Sequence, residues 1–133
     1  MNNFHHIGFF VKNIKNGYKE LSKIIKIKKT GNLIIDNDLL VKILFVVDNN
    51  GNRFELVAPN GKGNPVDEVL KEKKNILNHI AYTCDKFDLE VLNLRNQGCI
   101  PISSPKKSKA FKGARVIFFL TPVGFIYELI EKE

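Results

Sequence analysis

Cysteine is scarce: Cys84 and Cys99 are the only two, and they form no CxxC pair. In a chain without an export pattern such thiols stay reduced and structural, and they point to no chemistry. No apolar run approaches the ~20 residues that cross a bilayer, and Met1 to Val11 lacks a positive start followed by an apolar stretch and a small-residue cleavage site. A soluble, cytoplasmic protein with no membrane partner is expected. Acidic residues are the minority, 14 against 21 Lys and Arg, for a net charge of +7. That excess favours anionic partners. Neither a stacking aromatic platform nor a known motif accompanies it, so no nucleic acid partner is expected. The abundance of Lys, Asn and Ile, typical of AT-rich genomes, gives the charge a plainer origin.

What is present is a repeat. Shifting the sequence by 73 positions lays His6-Ile7 on His79-Ile80, and Gly51 with Phe54-Glu55-Leu56 on Gly124 with Tyr127-Glu128-Leu129. His6 to Glu55 and His79 to Glu128 both span 49 positions. Ile14, Tyr18 and Leu21 fall on Phe87, Val91 and Leu94, spacings of four and three that mark one apolar helix face. Each half reads as βαβββ. Module one has strand 4–11, helix 15–26 and strands 27–30, 39–47 and 52–58. Module two has strand 78–84, helix 88–96 stopped by Gly98, and strands 100–103, 115–120 and 125–130. Residues 59–77 form a connector with the turn-rich run Pro59 to Pro65 and a short amphipathic helix from Val66 to Lys74. With 133 residues and two halves too short for dependable cores of their own, a single α+β domain is expected, with module one at 1–58 and module two at 78–133.

Alternation in the first strand sets His6 with Phe4, Gly8 and Phe10, and leaves Ile7, Phe9 and Val11 for the helix. His79 likewise sides with Ala81 and Thr83. Glu55 and Glu128 point opposite to their apolar neighbours. Two imidazoles and two carboxylates thus share one sheet face, a mixed set that suits Zn, Ni, Co, Mn or Fe(II), whereas Mg and Ca favour oxygen alone. His5 falls on Asn78 under the repeat and points to the helix side, so it ranks as a neighbour of the set.

His6-Ile-Gly-Phe-Phe-Val, Phe54-Glu-Leu-Val-Ala-Pro59, Asn78-His-Ile-Ala-Tyr-Thr and Ile126-Tyr-Glu-Leu-Ile-Glu131 together resemble the vicinal oxygen chelate superfamily over the whole chain. That superfamily contains glyoxalase I, methylmalonyl-CoA epimerase, extradiol dioxygenases and fosfomycin- and bleomycin-resistance proteins. The resemblance implies two modules in a half-open barrel around a divalent metal held by His6, Glu55, His79 and Glu128. It implies a lyase or isomerase that moves a proton next to a carbonyl through a metal-stabilised enolate or enediolate, with Glu128 and Glu55 catalytic. Its substrate would be a hemithioacetal or an acyl-CoA thioester, and its assembly a homodimer. Glu55 favours this proton-transfer branch.

The segments from Glu55 to Ala81 and from Ser104 to Leu120 are similar to epimerases and short glyoxalases. Thr121-Pro122 replaces a frequent His-Pro, and Lys42 is the nearest equivalent of a second catalytic carboxylate that some epimerases carry. Lys106, Lys107, Lys109, Lys112 and Arg115 form a basic loop around Phe111. Arg115, Lys112, Phe10 and Thr83 are the expected substrate contacts. The alternative reading is a non-catalytic small-molecule or antibiotic-binding protein of the same fold.

Overall fold

A computed structural model describes residues 2–72 and 74–132, and its chain divides into two compact units, Ile7–Leu77 and Met1–His6 with Asn78–Glu133. The first boundary falls inside strand β1 (Asn3–Phe10), whose leading residues group with the second unit.

In the first unit, α1 (Ile14–Ile24) begins where the Asn13 side chain accepts a hydrogen bond from the Asn16 amide, 3.0 Å. Its Ile14, Tyr18 and Leu21 pack with Phe9, Val11, Leu44, Val46 and Leu56 into one core, the face predicted from their spacing. Strands β2 (Ile27–Thr30), β4 (Val41–Asp48) and β5 (Arg53–Pro59) follow, with a three-residue strand β3 (Ile34–Asp36) that the sequence reading did not anticipate. Pairing runs β2-β4-β5-β1, antiparallel except for the parallel β5 and β1. Helix α2 (Pro65–Val69) continues as a 3-10 turn to Glu72. Lys73 of the expected helix lies outside the described residues, and Lys74 is not helical.

In the second unit, β6 (Ile76–Cys84) leads to α3 (Phe87–Asn96), then β7 (Ile100–Pro101), β8 (Lys106–Lys107), a 3-10 turn (Lys109–Phe111), β9 (Arg115–Leu120) and β10 (Ile126–Glu131). Pairing runs β6-β10-β9-β7, again antiparallel except for the parallel β6 and β10. One sheet face packs Ile117, Phe119 and Leu129 on Phe87, Val91 and Leu94 of α3. The other face holds Ala81, Val116 and Ile130 with Phe111 and Phe118.

The repeat extends to register. Gly8 lies across from Glu55 in β1–β5, and Ala81 across from Glu128 in β6–β10, each pair displaced by the same 73 positions as the histidines. Gly51 and Gly124 have φ of 84° and 94°, the left-handed conformation that the turn into each final strand requires. The two modules therefore make the same turn before the same parallel pairing.

Candidate metal centre

His6, His79 and Glu128 belong to one unit and are 0%, 2% and 4% exposed. Their alternation on β1, β6 and β10 aims all three at the face that α3 leaves uncovered. His6 Nε2 is 3.1 Å from His79 Nε2 and 3.3 Å from Glu128 Oε1, and His79 Nε2 is 3.2 Å from that same oxygen. For ions with ligands at about 2.1 Å, neighbouring ligand atoms stand about 3.0 Å apart in an octahedron and about 3.4 Å in a tetrahedron. The triangle has the size of one face of such a shell.

The second nitrogen of each ring is also engaged. His79 Nδ1–H donates to Asn78 Oδ1 at 2.8 Å, which turns Nε2 toward Glu128. His6 Nδ1 lies 2.8 Å from His5 Nδ1, so the neighbour from the opposite parity closes on the ligand ring. Outer partners of this type fix the orientation of metal-binding imidazoles. Aromatic rings hold the geometry further: Phe111 stacks on His6 at 6.0 Å and Phe118 meets His79 edge-on at 5.5 Å. Electron-rich nitrogens and a carboxylate oxygen gathered away from water favour a cation among them, so the residues fit a divalent metal.

Glu55 is 5% exposed in the other unit, opposite Gly8 and Phe45. Phe10 shares the Gly8 side of β1. On this side β3 and β4 present Ile34, Asp36, Val41, Ile43 and Phe45. Lys42 is opposite Ala58 and turns with Leu44 to the helix side, so it does not occupy the place of a second carboxylate. Asp36 is buried, but its Oδ1 accepts from the amides of Asp38 and Leu39, both at 3.0 Å.

Of the expected substrate contacts, Thr83 and Lys112 line a cavity of about 270 Å³ with Phe111, Ile130 and Lys132. Arg115 turns the other way, over the Phe87 ring at 4.5 Å, and binds Asp88 at 3.0 Å and Glu131 at 2.7 Å. That pairing raises the guanidinium pKa and holds the Glu131 carboxyl below its ordinary range. Its donors tie strands to α3 rather than waiting for an anion. Phe111 was legible only as a lone aromatic among lysines.

The profile of the Glyoxalase/Bleomycin resistance protein/Dioxygenase superfamily matches residues 5–118. Among solved structures, a hypothetical protein from Bacillus halodurans is 24% identical with a TM-score of 0.84, covering 99% of this chain and 95% of that one. Methylmalonyl-CoA epimerase from Mycobacterium tuberculosis is 17% identical with a TM-score of 0.79, covering 98% and 87%. A methylmalonyl-CoA epimerase in complex with methylmalonyl-CoA and NH4+ is 15% identical with a TM-score of 0.78, covering 99% and 95%. No curated protein matches the sequence. At these identities the structures establish the fold, and the profile establishes descent: the chain belongs to the glyoxalase, bleomycin-resistance and dioxygenase superfamily, the vicinal oxygen chelate proteins.

Proposed function

We propose that this protein is a metal-dependent lyase or isomerase of the glyoxalase I and methylmalonyl-CoA epimerase type, with His6, Glu55, His79 and Glu128 as its ligands. The triangle of 3.1–3.3 Å between His6, His79 and Glu128 carries this reading. Support for Glu55 comes from equivalence. In module two the register that sets Glu128 across from Ala81 brings its carboxylate to His79, and module one has the same register between Glu55 and Gly8, two residues beyond His6.

Bound there, Zn, Ni, Co or Mn supplies a positive charge that acidifies the carbon next to a substrate carbonyl. A Glu128 carboxylate oxygen would then take the α-proton and return it to the neighbouring carbon for an isomerisation. For an epimerisation it would keep that proton while the protonated Glu55 carboxyl gives its own proton to the opposite face. The strand residues facing Glu55 favour this pair, because Asp36 is committed to backbone amides and the rest are apolar. Phe111 and Phe118 keep water from the reacting carbon. Thr83 and Lys112 hold the remainder of a hemithioacetal or acyl-CoA thioester. The thioester is favoured because epimerases of similar fold were solved with acyl-CoA ligands. A homodimer is the proposed assembly, checked by light scattering.

The test is deuterium uptake from heavy water into a panel of hemithioacetals and acyl-CoA esters, with each of the four metals added. Uptake into one class identifies the reaction, and Glu128→Gln is expected to lower it by roughly 10²–10⁴-fold. Full activity in that variant removes Glu128 as the base. No exchange, together with no more than trace metal in protein purified without chelator, overturns the enzyme reading in favour of a binding protein.

A further inference from the structure

Strand register divides the face of the second unit that carries His79 and Glu128 into rows. One row runs from His79 across Ile126 and Leu120 to Ile100 at the sheet edge. The next holds Ala81, Glu128 and Phe118, and Ile102 joins it through its amide, which donates to the Phe118 carbonyl at 2.9 Å. A third holds Thr83, Ile130, Val116 and Lys106. Neighbouring strands stand about 4.8 Å apart, so the first row spans about 14 Å from the strand of His79 to that of Ile100.

The two outer rows differ in what covers them. Phe111 packs on the third, where Val116 is 4% and Ile130 2% exposed, and Lys112 and Lys132 border the cavity beside it. Leu120, Ile100 and Ile102 are 44%, 61% and 52% exposed. Apolar side chains left open in a continuous run beside a buried cluster of candidate ligands are suited to the apolar part of a bound molecule. The first row has no charged side chain, and the cations Lys106, Lys112 and Lys132 lie at the opposite end of the face.

We propose that the first row, with Ile102, seats the acyl chain of the substrate, a hydrocarbon chain of medium length, while the anionic thiol carrier lies toward Lys112 and Lys132. The reacting carbon then falls in the middle row with Glu128, and the hydrocarbon runs past Phe118 to Ile100. A compact acyl group bearing its own carboxylate finds no cation along this row. The proposal rests on the thioester reading of the same site.

Calorimetric titration of the zinc-loaded and the metal-free protein with acetyl-, butyryl-, hexanoyl- and octanoyl-CoA tests it, alongside methyl NMR of isoleucine-labelled protein. Affinity should rise roughly two- to fourfold per added methylene. The Ile100, Ile102 and Ile126 methyl signals should move with octanoyl-CoA and stay in place with acetyl-CoA. Ile100→Ser with Ile102→Ser, both at positions more than half exposed, should flatten the rise, whereas Leu89→Ser, at an equally exposed leucine of α3, should keep it. Equal affinity along the series, a rise that survives the double variant or is lost as well in Leu89→Ser, or no binding of any acyl-CoA overturns the inference. A flat series in which the double variant turns a dimer into a monomer gives the row to a second copy of the chain and overturns it too. Chain-length-dependent binding without deuterium exchange instead overturns the proposed reaction and leaves the acyl seat standing.

Discussion

Cys84 is 2% exposed, and burial, with nearby Glu90, Asp85 and Glu131, pushes its thiol up to about 11. Cys99 is only partly buried. Alkylation at neutral pH should therefore label Cys99 first and reach Cys84 only on the timescale of unfolding, and equal rates in a timed mass measurement would contradict this. At this scale the four candidate ligands were readable because duplicated spacing and strand parity are properties of sequence. Their partners were less so. Parity put His5 on the other face, and the 2.8 Å contact to His6 depends on ring orientation, which alternation does not encode. Arg115 misled for a related reason. A cation in a basic loop suggests an anion, yet parity with Ile117 and Phe119 already turned it toward α3, where Asp88 and Glu131 were waiting.

Among the elements, α1 shows packing overriding propensity. A Cβ at Gly17 would meet Val11 Cγ1 at 2.9 Å and Cβ at 3.0 Å, atoms of a short, stiff side chain. Gly17→Ala gains about 0.5–1 kcal/mol of helix propensity but overpacks at a cost of about 1–3 kcal/mol. Chemical denaturation should show a net loss, and a more stable variant would mean that α1 shifts freely. The Asp88–Arg115–Glu131 tie predicts a pH effect. Because Arg115 lowers the Glu131 carboxyl, its contribution is complete above the unfolded carboxylate range, ~4.3, and is lost as pH falls through the lowered folded value. Melting temperatures of wild type and Arg115→Met should differ at pH 7 and converge as pH falls below the unfolded carboxylate range; parallel curves would remove the tie. Long elements were legible from periodicity, whereas β3 and β8, of three and two residues, carry too few positions for any period to register.

For the whole molecule, metal binding and folding are linked. An ion that binds only the folded chain stabilises it by about 4 kcal/mol at a thousandfold excess over its Kd. Zinc should raise the melting temperature of wild type and leave His79→Ala nearly unmoved; an equal rise in both would place the ion elsewhere. Among the described residues no helix is long and apolar enough to cross a membrane. The repeat gave module two its start at residue 78, where the second unit's main segment also begins. It did not reveal that Met1–His6 group with that unit, because repeats follow chain order and compactness follows contacts. This mismatch matters to anyone trimming the protein. Removing six residues from the amino terminus reads as a cosmetic edit of the first module, yet it excises a strand segment and the imidazoles of both His5 and His6 from the second, so even a short processing cut there would disable the distal half of the chain.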